Sequence, residues 1–322
     1  MVKSIYITGG SGFVGTHLHN FLNDCFGVAS INNIDLRSDN TISNVLCDIR
    51  HPITVDSFPL PVDCIINLAA VHKSPGHPSH EYFETNILGA RSVCDFAEKV
   101  GCKKIVFTSS IAVYGPGEDE KTEESLPMPN IPYGISKVIA EHIHREWQMR
   151  GEGRSLSIIR PAVIFGKGEG GNFTRIANAL RKGIFVYPGR KDTIKSCVYV
   201  KDVCRLIMRE MESCEPLSTY NCCYPQKITI EQICKAFNQE LGYKLPKAVI
   251  PQSVLNTAGA MLKIIDTPYI RSMGLDPQRI AKLVNSTNIS SKKLVDSGFE
   301  FKYDLNAALK DWANDCGGII LN

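Results

Sequence analysis

An apolar run, Ser4–Thr8, leads without a break into Gly9-Gly10-Ser11-Gly12-Phe13-Val14-Gly15, and a helical pattern with Phe13, Val14, His17, Leu18, Phe21 and Leu22 on one face follows. Few folds accept that order. A strand that ends in a GxxGxxG turn and opens a helix is the entry to a strand–helix–strand unit. Glycines serve the tight turn and let the backbone approach a pyrophosphate, whose charge the helix N-terminus stabilises. Further strand candidates at 27–34, 64–68, 104–108 and 157–160 alternate with helical stretches. This alternation predicts an α/β fold, a doubly wound parallel sheet with helices on both faces and right-handed crossovers.

At 322 residues the chain is at the upper end of what one core supports, so a large domain with a smaller lobe is expected. We place the dinucleotide-binding domain at 1–164, with 196–224 returning to it, and a C-terminal substrate lobe at 165–195 and 225–322. After Pro161 the pattern loosens. Residues 166–171 form a glycine-rich loop, 172–183 read as a helix with a glycine cap, and 195–200 as a strand. The stretch 202–211 reads as a helix capped by Asp202.

Hydrophobic residues at 43%, charged residues at 21% and a net charge of +3 describe a globular chain, with no basis for nucleic acid or an anionic membrane as its main partner. No apolar run approaches the roughly 20 residues of a membrane span, and no signal peptide fits before the first strand, so a cytoplasmic location is expected. The twelve cysteines contain no CxxC pair and read as reduced, buried thiols rather than a zinc site or a disulfide framework. The histidines at 72, 77 and 80 read as loop residues, not metal ligands. The acidic stretch 118–124 reads as a solvated loop at the rim of the site, and Arg175, Arg181 and Lys182 as a solvated helix face.

Three features carry chemistry. Asp35 ends the second strand candidate, twenty residues after Gly15, where a carboxylate can accept hydrogen bonds from ribose hydroxyls. That favours NAD; Arg37, two residues on, keeps NADP open. Tyr133-Gly134-Ile135-Ser136-Lys137 opens a helix after Pro132, so its phenol and ammonium share one face. A free tyrosine titrates near pH ~10, and a neighbouring ammonium together with a cationic nicotinamide ring favours the phenolate. Thr108-Ser109-Ser110 ends an apolar strand, where a parallel sheet presents its ligand crevice.

Together these motifs resemble the extended short-chain dehydrogenase/reductases, the NAD-dependent epimerase/dehydratase family that includes the UDP-galactose 4-epimerases. The resemblance spans about the first 205 residues and includes Asp48-Ile49, Asn67-Leu68-Ala69-Ala70, Asn86, Val113-Tyr114-Gly115 and Arg160-Pro161. It implies Ser110, Tyr133 and Lys137 as catalytic residues. It implies a cofactor site of Gly9, Gly12, Phe13, Val14, Gly15, Asp35, Asp48, Ile49, Leu68, Ala69, Ala70, Tyr133, Lys137 and Pro161. Asn86 is given a structural or water-relay role. On the substrate side it implies Ser110, Tyr133 and Asn172, the last in an Asn-Phe pair that grips a sugar-nucleotide diphosphate. Lys195 stands where many relatives carry a phosphate-binding arginine and lacks the planar fork; Arg279 is the other candidate for that role. Asn285 is implied near the position that limits sugar size, and residues 288–294 resemble a late family segment, which implies a complete chain. A homodimer through helices after Thr85 and Tyr133 is also implied.

Family resemblance also narrows the reaction. A 4,6-dehydratase carries an Asp-Glu pair after the strand-end threonine, where this chain has Ser109-Ser110. A fucose-forming 3,5-epimerase carries a cysteine beside the serine, where this chain has Ile111. C4 epimerisation of a UDP-hexose or UDP-N-acetylhexosamine is therefore the expectation. The alternative is reduction of a 4-keto-6-deoxy nucleotide sugar, and a more distant one is a cofactor-sensing protein without turnover.

Overall fold

A computed structural model describes residues 4–26, 30–37, 43–54, 60–73, 76–251, 253–254 and 284–322. The strands are β1 (Ser4–Thr8), β2 (Ser30–Asp35), β3 (Ser43–Leu46), β4 (Cys64–Asn67), β5 (Lys104–Thr108), β6 (Gly117–Lys121) and β7 (Ser155–Pro161). They continue with β8 (Val163–Phe165), β9 (Tyr187–Pro188), β10 (Cys197–Tyr199), β11 (Leu217–Cys222), β12 (Val249–Ile250) and β13 (Thr287–Ile289). The helices used below are α1 (Phe13–Phe26), α2 (Ser79–Phe83), α3 (Gly89–Lys99), α4 (Pro132–Arg150), α5 (Asn172–Lys182), α6 (Val200–Glu212) and α7 (Ile230–Leu241).

Seven strands form one parallel sheet in the order β11-β7-β5-β4-β1-β2-β3. This is the doubly wound arrangement expected. The order reverses between β1 and β4, so the crevice that such sheets use for ligands opens above the ends of those two strands. The sheet is built from continuous apolar runs because both faces are covered. All five residues of β1 and all four of β4 are buried. Leu18 and Leu22 of α1 pack with α6 on one face, and Val93, Phe96 and Trp147 of α3 and α4 pack on the other. Each such side chain contributes roughly 1.5–3 kcal/mol.

Two strands of the sheet, β3 and β11, were not anticipated, and three further two-stranded ladders, β8–β10, β9–β12 and β6–β13, organise the rest. The acidic stretch 118–124 is not a plain solvated loop. Its first half is β6, held against β13, with Glu118 paired to Arg190 and Glu120 to Lys227. Helix α5 does end at Gly183, whose φ of 72° is left-handed. Asp202, however, does not cap α6: Tyr199 is the N-cap residue, and the buried Asp202 carboxylate accepts the backbone N–H groups of Lys302 and Tyr303. No helix among the described residues is long and apolar enough to cross a membrane.

Candidate active site

The glycine turn lies at the strand-order reversal. Gly9 has φ of 75°, donates to the Ile34 carbonyl at 2.9 Å, and a Cβ there would sit 2.7 Å from the Ala69 backbone. A Cβ on Gly15 would sit 2.3 Å from the Gly10 carbonyl oxygen, so α1 packs against the turn only because that position is bare. Two side chains from β2 hold the turn. Asn33 Oδ1 accepts from Gly10 N at 2.9 Å, and Asp35 Oδ2 accepts from Ser11 N at 3.0 Å. Sequence reasoning missed Asn33; its signal is a polar residue, fully buried, inside a strand. Gly12, Phe13 and Val14 complete the turn and begin α1. Leu68, Ala69 and Ala70 follow β4, half-buried, across from Gly9. Asp48 is clamped by Arg50, which holds its carboxyl below the usual range, and Ile49 packs under Gly89. Pro161 ends β7. A close-packed glycine turn, a helix N-terminus and a strand-end carboxylate at one crevice fit a dinucleotide.

Two strands along the same sheet from β1, β5 delivers Ser110. It is the N-cap of a short 3-10 turn, and its Oγ accepts from Ala112 N at 3.1 Å. Tyr133 enters on the first turn of α4, which Pro132 starts. Burial pushes the pKa of its phenol up to about 12, and the Ser110 hydroxyl nearby opposes that shift. Lys137 follows one turn later. It is 2% exposed, donates to the Thr108 carbonyl at 2.8 Å and lies 4.8 Å from the centre of the Phe107 ring. Burial lowers its pKa to about 7, against the pull of Glu141. Serine, tyrosine and lysine thus converge on the end of β5.

Behind them lies a buried polar network. Glu141 accepts from Ser109 Oγ at 2.6 Å and takes both Arg160 Nε and Nη2, at 2.8 and 2.6 Å. Arg160 reaches on to the Tyr114 hydroxyl at 2.6 Å, and that hydroxyl donates to Asn221 at 2.8 Å. The pair ties the Ser109-Ser110 turn to the helix carrying Tyr133 and Lys137. Glu141 escaped the sequence reading, although a carboxylate one turn beyond Lys137 on a core-facing helix position was the available sign. Asn86 sits in a π turn between α2 and α3, where it bonds the Val71 backbone on both sides and Ser136 Oγ at 2.8 Å. Ser136 Oγ in turn donates to the Tyr133 carbonyl at 2.8 Å. Burial lowers the pKa of His144 to about 4, so the ring is neutral near pH 7; it stacks on Phe107 at 4.1 Å and bonds Asn67.

The residues expected on the substrate side are held differently. Asn172 is exposed at the start of α5. The N–H groups that follow it are already occupied: Glu169 accepts from Phe173 N at 3.3 Å and from Thr174 N at 3.0 Å. Lys195 gives its ammonium to the Asn285 carbonyl at 2.5 Å, and burial together with Arg190 lowers its pKa to about 8. Arg279 lies outside the described residues. Among the described residues His77 pairs with Glu81, and no three histidine, cysteine or carboxylate side chains gather as metal ligands would.

With that geometry in view, the comparisons with known proteins are specific. The chain is 29% identical over 313 residues, 96% of its length and 94% of the relative's, to the N-acetyl-alpha-D-glucosaminyl-diphospho-ditrans,octacis-undecaprenol 4-epimerase of Escherichia coli O157:H7. It is 28% identical over 202 residues to the UDP-glucose 4-epimerase of Bacillus subtilis, covering 57% of this chain and 59% of that one. Among solved structures, the UDP-glucose 4-epimerase of Thermus thermophilus in complex with NAD superposes with a TM-score of 0.71 at 19% identity, over 98% of this chain and 99% of the other. The model of the NAD dependent epimerase/dehydratase family matches residues 5–223, and the chain belongs to that family.

Proposed function

We propose that this protein interconverts the C4 epimers of a hexose or N-acetylhexosamine carried on a diphosphate, through a transient 4-keto sugar. Family membership makes it an NAD-dependent enzyme. The observation that carries the reaction is the convergence of Ser110, the Tyr133 phenol beside it and Lys137 one helical turn on, at the end of β5 in the sheet that carries the glycine turn. Tyr133 takes the proton of the C4 hydroxyl and later gives it back. Ser110 hydrogen-bonds the same oxygen. Lys137, protonated, favours the phenolate and holds a ribose hydroxyl of the cofactor. NAD, when bound, would supply the hydride acceptor and donor for C4, and returning the hydride would leave no net oxidation. Asp35, oriented by Ser11 N and Arg37 N, presents its carboxylate to the free ribose hydroxyl that distinguishes NAD from NADP.

We take 1–164 with 196–224 as the cofactor domain and the remainder as the substrate lobe, with Asn172 and Lys195 as diphosphate contacts. A homodimer would form on the face where α4 exposes Ile135 and Ile139 and the preceding π turn exposes Leu88. Such an enzyme would work in the cytoplasm.

Two carriers are compatible with a diphosphate contact. A nucleoside carrier is the general reading. A polyprenyl carrier is favoured by one observation: a sequence relative that matches over nearly all of both chains is an enzyme whose name gives an undecaprenol-diphosphate sugar as its substrate. The test incubates the purified protein, without added reductant, with UDP-glucose, UDP-N-acetylglucosamine or N-acetylglucosaminyl diphosphate on a polyprenol. Epimers appearing by NMR with no net NADH support the proposal, and the reactive substrate identifies the carrier. If none reacts but a 4-keto-6-deoxy sugar nucleotide consumes reduced cofactor stoichiometrically, the ketoreductase reading replaces it.

A further inference from the structure

The net charge of +3 conceals an uneven distribution. Residues 170–191 and 241–254 contain no aspartate or glutamate. The fold brings parts of these stretches together. Strand β9 pairs with β12, Tyr187 N donates to the Ala248 carbonyl at 3.0 Å, and Gly183 packs against the Lys244 side chain. Arg181 lies close enough to Tyr243 to act electrostatically on its phenol. One face of the molecule therefore carries Arg181, Lys182, Lys244 and Lys247, all exposed. None of the four forms an ion pair among the described residues, whereas Arg190 and Lys191, farther along, do.

Large apolar side chains stand among these cations. Ile184 is 69% exposed, Leu245 44% and Val249 40%. Ile319, 57% exposed, is brought alongside by a hydrogen bond from the Tyr243 hydroxyl to its carbonyl. Uncovered aliphatic groups interleaved with unpaired cations match one kind of surface: anionic headgroups above an acyl layer. A nucleic acid would match the cations and leave the aliphatic groups in water.

We propose that this face of the substrate lobe docks the protein on an anionic phospholipid bilayer. The face is placed to serve the site. Helix α5 begins at Asn172, the proposed diphosphate contact, and ends at Lys182, so the two lie about 15 Å apart. A sugar diphosphate could then enter the cleft while its lipid remains in the bilayer. That purpose rests on the polyprenyl reading given above; the surface itself does not.

The test is co-sedimentation of the whole protein with vesicles and no substrate, so its result does not depend on which carrier is used. Vesicles of phosphatidylcholine with about one-third phosphatidylglycerol should bind the protein, phosphatidylcholine alone should not, and about 0.5 M salt should release it. Each cation near an anionic surface strengthens partition about fivefold. Reversing four, as R181E, K182E, K244E and K247E together, should lower partition at least about a hundredfold. The double variant K103E and K292E, on other surfaces, should bind as the wild type does. The salt series uses the native protein, so the proposal stays testable if the quadruple variant misfolds. Equal binding to both vesicles, or undiminished binding by a folded quadruple variant, overturns the proposal. So does salt-sensitive self-association that the same reversals abolish, which would assign the face to a second copy of the chain.

Discussion

In the proposed reaction the end of β5 and the start of α5 would both meet a negatively charged or proton-releasing group, yet the structure prepares them in opposite ways. Around Ser110, Tyr133 and Lys137 every polar neighbour is already in place. The Glu141–Arg160 pair holds Ser109, Asn86 holds the first turn of α4 through Ser136, and the Thr108 carbonyl holds Lys137, with the phenol beside Ser110. At the substrate side the groups that would grip a phosphate are spent on the protein's own oxygens: Lys195 on Asn285, and the first N–H groups of α5 on Glu169. On the proposed reading, chemistry is preorganised, and anion binding would be an exchange of partners. Preorganised groups lower a barrier directly, whereas exchanged ones tune affinity within a narrow range.

The largest effect should come from Tyr133→Phe. Proton transfer is lost while the ring still packs against Tyr82, so turnover should fall about 10²–10⁴-fold with NAD affinity nearly unchanged. A variant retaining more than half the wild-type rate would remove Tyr133 from the chemistry. Next, Glu141→Ala strands the Arg160 guanidinium, 4% exposed, and should cost about 3–5 kcal/mol in denaturant unfolding. A loss under about 1 kcal/mol would mean that the site is not held rigidly from behind.

On the substrate side the effects should be smaller and pH-dependent. Burial and Arg190 lower the pKa of Lys195 to about 8 in the free protein, and a bound diphosphate would raise it. Its attraction for the anion is therefore fully present below pH 8 and is lost as pH rises through that value, by up to about tenfold in affinity per pH unit. Lys195→Arg should flatten the profile because a guanidinium stays charged; isothermal titration with UDP at several pH values reads both. Smallest of all, Glu169→Ala frees the first N–H groups of α5 and should tighten UDP binding about two- to fivefold. Weaker binding would show that Glu169 positions the helix end rather than competing with the ligand.

The same contrast decides what could be read beforehand. The strands at Ser4–Thr8 and Lys104–Thr108 are evident as written because burial on both faces demands unbroken apolar runs. Strand β11, Leu217-Ser-Thr-Tyr-Asn-Cys, is half polar, and only its register on β7 and the Asn221–Tyr114 bond make it a strand. Asp202 carries a sound local signal for a helix cap, but the N–H groups its carboxylate accepts lie a hundred residues away at Lys302 and Tyr303. The glycine turn, Tyr133, Lys137 and Ser110 stand out because their spacing is local or tied to strand ends. Asn33 and Glu141 bond partners that are distant in sequence, at Gly10, Ser109 and Arg160, whereas Glu169 bonds Phe173 N and Thr174 N close by, in a glycine-rich loop whose path no spacing announces.

The edge position of β11 has a consequence for synthesis. Strand β7 ends at Pro161, but its outer neighbour is not encoded until Leu217. At about 5–20 residues per second, a ribosome leaves that edge open for roughly 3–11 s after β7 emerges. For that interval the nascent sheet presents a row of unpaired amides and carbonyls flanked by Leu156, Ile158 and Ile159, the kind of template on which chains join edge to edge. A translational pause with β7 outside the ribosome and β11 still inside would lengthen the exposure, whereas a pause after β11 has emerged would leave the edge already sealed.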